Sequence, residues 1–79
     1  MNDISLYVLV TYHDSLRRAF PVNYIVNRLG GLLKTSTIHN ESHTHVFFFD
    51  REIYGRTFIT VIERADMGII ATVLNSTDY

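Results

Sequence analysis

From residue 32 onward the chain alternates short runs rich in β-branched and aromatic residues with breaks of only four to six residues. The runs are Leu32 to Ile38, His43 to Phe49, Arg56 to Glu63 and Ile69 to Leu74. Between them stand His39-Asn40-Glu41-Ser42, Asp50 to Gly55 and Arg64-Ala65-Asp66-Met67-Gly68. β-Branched and aromatic side chains suit a pleated surface, and turn residues bound each run. Parallel neighbours need a crossover of a dozen or more residues, so connections this short favour antiparallel pairing. The expectation is a C-terminal antiparallel β-meander of three to four strands.

The first thirty residues read differently. Ile4 to Thr11 is apolar and β-branched enough for a largely buried strand. Asp14 or Ser15 is placed to cap a short helix through Leu16-Arg17-Arg18-Ala19 by accepting a free backbone N–H. Phe20-Pro21 ends that helix and opens another, since proline fits a first helical turn. There Val22, Ile25, Val26 and Leu29 fall at i, i+3, i+4 and i+7 and share one face. Gly30-Gly31 supplies the left-handed stop. The fold class that follows is α+β: an N-terminal strand, two short helices, then the meander, with the helices packed on one face of the sheet.

That arrangement carries a mismatch. In the last runs both alternating faces are apolar: Phe58 and Ile62 against Ile59 and Val61, then Ile69, Ala71 and Val73 against Ile70 and Leu74. Two short helices cover one face of such a sheet. The other is left as an apolar surface, which predicts a dimer or a bound partner protein. The alternative is that twist and the Phe47-Phe48-Phe49 side chains close over that face.

The 79 residues form one domain, residues 1–79, because a second core cannot close at this length. There is no cysteine, which removes disulfides, thiolate zinc sites and cysteine nucleophiles and fits a reducing cytoplasm. No apolar run approaches membrane-spanning length, and Met1-Asn2-Asp3 lacks the basic flank of a signal peptide, so a cytoplasmic protein with no membrane role is expected. The net charge of −1 requires any nucleic-acid role to rest on local clustering of the seven basic residues.

Two groups of residues could carry chemistry. His39, His43 and His45 cluster, and His43 and His45 lie two apart on one strand and share a face. They read either as a metal-binding pair, with Asp50 or Glu41 in reach, or as polar residues on a strand's solvent side. His13, Arg17 and Arg18 lie within about one helical turn of one another. Imidazole exchanges protons near neutral pH and guanidinium clamps phosphate. These are parts for metal-independent RNA cleavage: deprotonation of the 2′-hydroxyl, protonation of the leaving oxygen, and a cation on the phosphate.

His13-Asp14-Ser15-Leu16-Arg17 followed by Phe20-Pro21-Val22-Asn23-Tyr24-Ile25 resembles the opening of the BrnT toxins, which belong with the RelE, barnase and EndoU-type ribonucleases. Tyr54-Gly55-Arg56-Thr57-Phe58-Ile59-Thr60-Val61-Ile62 and Gly68 to Leu74 resemble that family's closing strands. The resemblance spans about residues 5 to 76, with short motifs. It implies a RelE-like fold and a toxin-type ribonuclease acting on RNA and held by an antitoxin-like protein. His13 would transfer the proton, Arg17 and Arg56 would hold the phosphate, and Thr72 would position it. Arg18 and the ring of Tyr54 would help bind substrate, with Tyr79 a further stacking candidate. No metal or small-molecule cofactor is implied. The chain departs from the family in carrying Asp14 after the histidine and in its low basicity. The second function is a non-catalytic module of the same fold, binding a protein or forming a homodimer.

Overall fold

The computed structural model describes residues 4–74. The elements run β1 (Leu6–His13), a one-turn 3-10 helix (Asp14–Leu16), α1 (Val22–Arg28), β2 (Leu32–His39), β3 (Ser42–Phe49), α2 (Glu52–Ala65) and β4 (Ile70–Leu74). The proposed stacking ring of Tyr79, the C-terminal tail and the first three residues lie outside the described residues. The class is α+β, with one four-stranded antiparallel sheet in the order β2-β3-β1-β4.

Residues 52–65 correct the expected meander. Arg56 to Glu63, expected as a strand from its β-branched content, belongs to the helix α2, as do Tyr54 and Gly55 of the expected turn before it. Gly55, Phe58 and Ile62 recur at three- and four-residue spacing and are its buried stripe. With α2 between β3 and β4, the last strand crosses the sheet to pair with β1 instead of β3. The result is a β-α-β-β-α-β chain in which β3 lies between β1 and β2, an arrangement of the ferredoxin-like, split β-α-β kind. The segment after β1 is a single 3-10 turn and not a full helix. Its cap is the His13 ring, whose Nδ1 accepts from the Ser15 N–H at 3.1 Å, in place of the side chain of Asp14 or Ser15.

The remaining boundaries follow local chemistry. After α1 the Gly31 N–H donates to the Val26 carbonyl at 2.9 Å and the Gly30 N–H to that of Asn27 at 3.1 Å. This is a Schellman stop, with Gly30 at φ +78°. Between β2 and β3 the two-residue loop Asn40-Glu41 has φ of 50° and 66°, as a type I′ hairpin turn requires.

The core lies between one sheet face and both helices. Leu6, Val8, Val10 and Tyr12 of β1 and Phe47 and Phe49 of β3 meet Val22 and Val26 of α1 and Phe58 and Ile62 of α2. Phe58 stands edge-on to Phe47 with centroids 5.8 Å apart, and 5.6 Å from Phe49. Phe47 and Phe49 are therefore committed to this core, and only Phe48 of the triplet faces the other side.

Candidate functional site

At one end of the sheet, strand pairing brings Tyr12 opposite His43 and Val10 opposite His45. Both histidines point to the helix side and are only 4% exposed, so they are not solvent-side residues. The His43 Nε2–H donates to Asp14 Oδ1 at 2.6 Å. The Tyr12 ring stacks on His43 with centroids 5.0 Å apart and planes 5° from parallel. The Tyr12 hydroxyl lies 2.9 Å from His45 Nε2. His45 Nδ1 is buried without a hydrogen-bond partner.

The 3-10 turn is what delivers Asp14 here. Its N–H donates to the Glu41 carbonyl at 2.7 Å, which pins the turn against the β2–β3 hairpin. On the solvent side Arg17 Nε stands 3.8 Å from Asp14 Oδ1, and His13 Nε2 stands 3.4 Å from Glu41 Oε1. The electrostatics follow from this order. The hydrogen bond from His43 holds the Asp14 carboxyl below its ordinary range, and Arg17 adds to that. Burial, then His43, pushes His45 down toward the neutral ring. Burial pushes the Tyr12 phenol up. A carboxylate, two buried imidazoles and a buried phenol thus form a polar plug that closes the sheet end. Among the described residues no group of three His, Cys, Asp or Glu is placed to hold a metal ion.

The candidate catalytic residues fall in separate places. His13 and Arg17 are neighbours of Asp14 at this end. Arg56 is on α2, bound to Glu52 at 2.8 Å. It follows Gly55, which abuts Leu6 at the opposite end of β1 from His13. Thr72 pairs with Leu9 on the sheet face that carries no helix. Arg56 and Thr72 are thus on opposite sides of the sheet. Tyr54 lies on the first turn of α2 beneath the guanidinium of Arg51, at 5.7 Å. Arg18 is exposed in the loop before α1.

The side of the sheet without helices forms a separate surface. Register places Tyr7, Leu9 and Thr11 of β1, Thr44, Val46 and Phe48 of β3, and Ile70, Thr72 and Leu74 of β4 on it. Leu32 joins them from β2 and is 60% exposed, and Ile70 is 65% exposed. At its centre the Tyr7 and Phe48 rings tilt at 53° with centroids 5.1 Å apart. In all four strands the only Lys, Arg, Asp or Glu is Lys34, at the β2 irregularity between Leu33 and Thr35. Charge is carried instead by the helices, turns and loops.

Comparison with protein-family models, with curated proteins and with solved structures finds no match to this chain. No helix among the described residues is long and apolar enough to cross a membrane.

Proposed function

We propose that this chain is a non-catalytic interaction module that pairs with a second copy of itself through the open face of its sheet. The observation that carries the reading is the absence of charge from that face together with its row of Tyr7, Leu9, Val46, Phe48, Ile70 and Leu74. A solvated sheet face ordinarily alternates polar residues outward. This one is apolar and threonine-bearing, as the buried centre of an interface is. Neutrality also selects the partner. An uncharged, apolar patch is complementary to itself, which is what a two-fold interface demands.

The size suits a weak, concentration-dependent pairing. Three strands of eight residues and one of five, at about 3.3 Å per residue and about 4.8 Å apart, give a projected face on the order of 450 Å². Two such faces bury about 900 Å², in the range of weak and transient interfaces. The expected consequence is direct. Leu9→Glu places a carboxylate inside the interface while leaving the helix-side core alone. Self-association should weaken by at least about tenfold with an unchanged circular dichroism spectrum. Association equal to that of the unsubstituted protein contradicts the reading.

One observation favours a second reading. The Tyr7–Phe48 pair on the two central strands is the kind of platform on which four-stranded sheets stack RNA bases. Against it stand the net charge of −1 and a face without lysine or arginine beyond the bulge, since phosphate contacts supply most nucleic-acid affinity. Anisotropy of labelled oligouridine separates the two, with a Tyr7→Ala variant as control. A ribonuclease role rests on the His13–Arg17 pair alone, because Arg56 and Thr72 stand elsewhere. Both the pairing and the RNA readings suit a cytoplasmic protein.

A further inference from the structure

The edge strand β2 is unlike the other three. All eight of its residues are exposed, including Leu33 at 48% and Ile38 at 66%, whose register sets them on the helix side of the sheet. α1 is only seven residues long and does not extend over them. Between α1 and β2 this leaves a groove of about 300 Å³, with Val26, Leu32, Leu33 and Phe47 forming its apolar lining and Asn23 and Asn27 also facing it. The two asparagines stand at i and i+4 on α1, so their carboxamides line one side of the groove. Beyond β2 there is no further strand, and its outward backbone N–H and C=O groups have no strand to pair with among the described residues.

The two elements that flank the groove carry charge of one sign: α1 has Arg28 and β2 has Lys34, and neither has an aspartate or glutamate, the next carboxylate being that of Glu41 in the turn beyond His39. Arg28 closes α1, and Lys34 sits on β2 itself. Both cations are exposed, so the complementary occupant carries carboxylates. An extended segment of another protein, with acidic residues among alternating apolar ones, meets both requirements. We infer that the β2 edge and the α1 groove form a peptide-binding site that adds such an acidic, apolar segment to the sheet as a fifth strand.

In this mode the peptide backbone pairs with Thr35 to His39, the regular part of β2 beyond the bulge. Every second side chain of the peptide then lies beside Leu33 and Ile38, where one bulky group enters the groove over Phe47. Asn23 and Asn27 are placed to exchange hydrogen bonds with the peptide backbone. The acidic residues answer Arg28 and Lys34. The site uses the edge and the helix side of the sheet and shares only Leu32 with the open face.

The test uses the full chain, isotopically labelled, titrated with two pools of peptides about six residues long, the usual strand length. One pool alternates leucine, isoleucine or phenylalanine with aspartate or glutamate, and the other replaces the acids by lysine. Oligouridine serves as a third probe. The acidic pool should bind, moving the amide resonances of Thr35 to His39 and the side-chain amides of Asn23 and Asn27. Lys34→Glu and Leu33→Glu, both at exposed positions, should each weaken binding by about tenfold, and N-methylation of alternate peptide nitrogens should abolish it. Binding of the lysine pool equal to that of the acidic one overturns the proposal. So do no binding by the acidic pool, shifts confined to the open face, or binding of oligouridine alone. Mass measured in the same samples reports pairing separately, so failure here is distinguishable from failure of the dimer.

Discussion

His45 is a residue whose surroundings tie the stability of the fold to pH. Burial, then the neighbouring His43, depresses its proton affinity below the usual 6.5. The unfolded chain therefore takes up a proton that the folded one refuses, and stability is full above 6.5 and lost as pH falls through the depressed value. Asp14 acts in the same direction lower down. The His43 hydrogen bond holds it below 3.8, so its contribution is present above 3.8 and lost as pH falls further. Tyr12 acts at the other end. Burial raises it, so its contribution is present below 10.0 and lost as pH rises through the raised value. The melting midpoint should thus fall between about pH 7 and pH 5, and His45→Phe should flatten that part of the profile. An unchanged slope in the variant would mean that another group sets the pH dependence. The sequence placed His43 and His45 on one face but could not tell which. Nothing in a His-x-His spacing says whether the strand's other face is the core, and that depended on Val8, Val10 and Phe47 pairing toward the helices.

At the scale of elements, β1, α1, β2, β3 and β4 were readable from strand-forming runs, the Val22-to-Leu29 stripe and the Gly30-Gly31 stop. α2 was not. Its Thr57, Ile59, Thr60, Val61 and Ile62 make a run that favours a strand by propensity, while the helical signal lay in Gly55, Phe58 and Ile62. Apolar residues on both alternating faces of a supposed strand were themselves that signal, because a helical stripe at three- and four-residue spacing visits both parities. Packing decided the outcome, since Phe58 and Ile62 fill the space over Phe47 and Phe49. Two substitutions probe this. Phe58→Ala should lower unfolding free energy by about 3–5 kcal/mol in urea titration, as cavity formation in a core does. Gly55→Ala tests helix packing more sharply. Alanine favours a helix interior, yet a Cβ here would stand 2.7 Å from Leu6 Cδ2 and 3.3 Å from Phe49 Cδ1. The structure predicts a net loss of about 1–3 kcal/mol, as overpacking gives. A gain in stability would mean that the Leu6 side chain gives way to the added methyl and that helix propensity outweighs the crowding.

For the whole molecule, the decisive pattern is where charge is absent. Seven basic and eight acidic residues are distributed over the chain, and the four strands hold only Lys34 of them. Helices on one side leave the other as a neutral face of Tyr7, Leu9, Val46, Phe48, Ile70 and Leu74. The mismatch between apolar strand surface and the helices available to cover it was legible in the sequence, although the run that seemed to double it at residues 56–63 proved to be a helix. What the sequence could not show is which residues make up the open face, because that depends on β4 crossing to pair with β1. It also could not show that Arg56 and Thr72 stand on opposite sides of the sheet, since both were placed in one meander. Sedimentation equilibrium of the unsubstituted protein over a wide concentration range bears most directly on self-pairing. Pairing through the open face predicts a species of twice the 9.2 kDa chain mass that Leu9→Glu converts to the single chain. A single-chain mass at every concentration would contradict it.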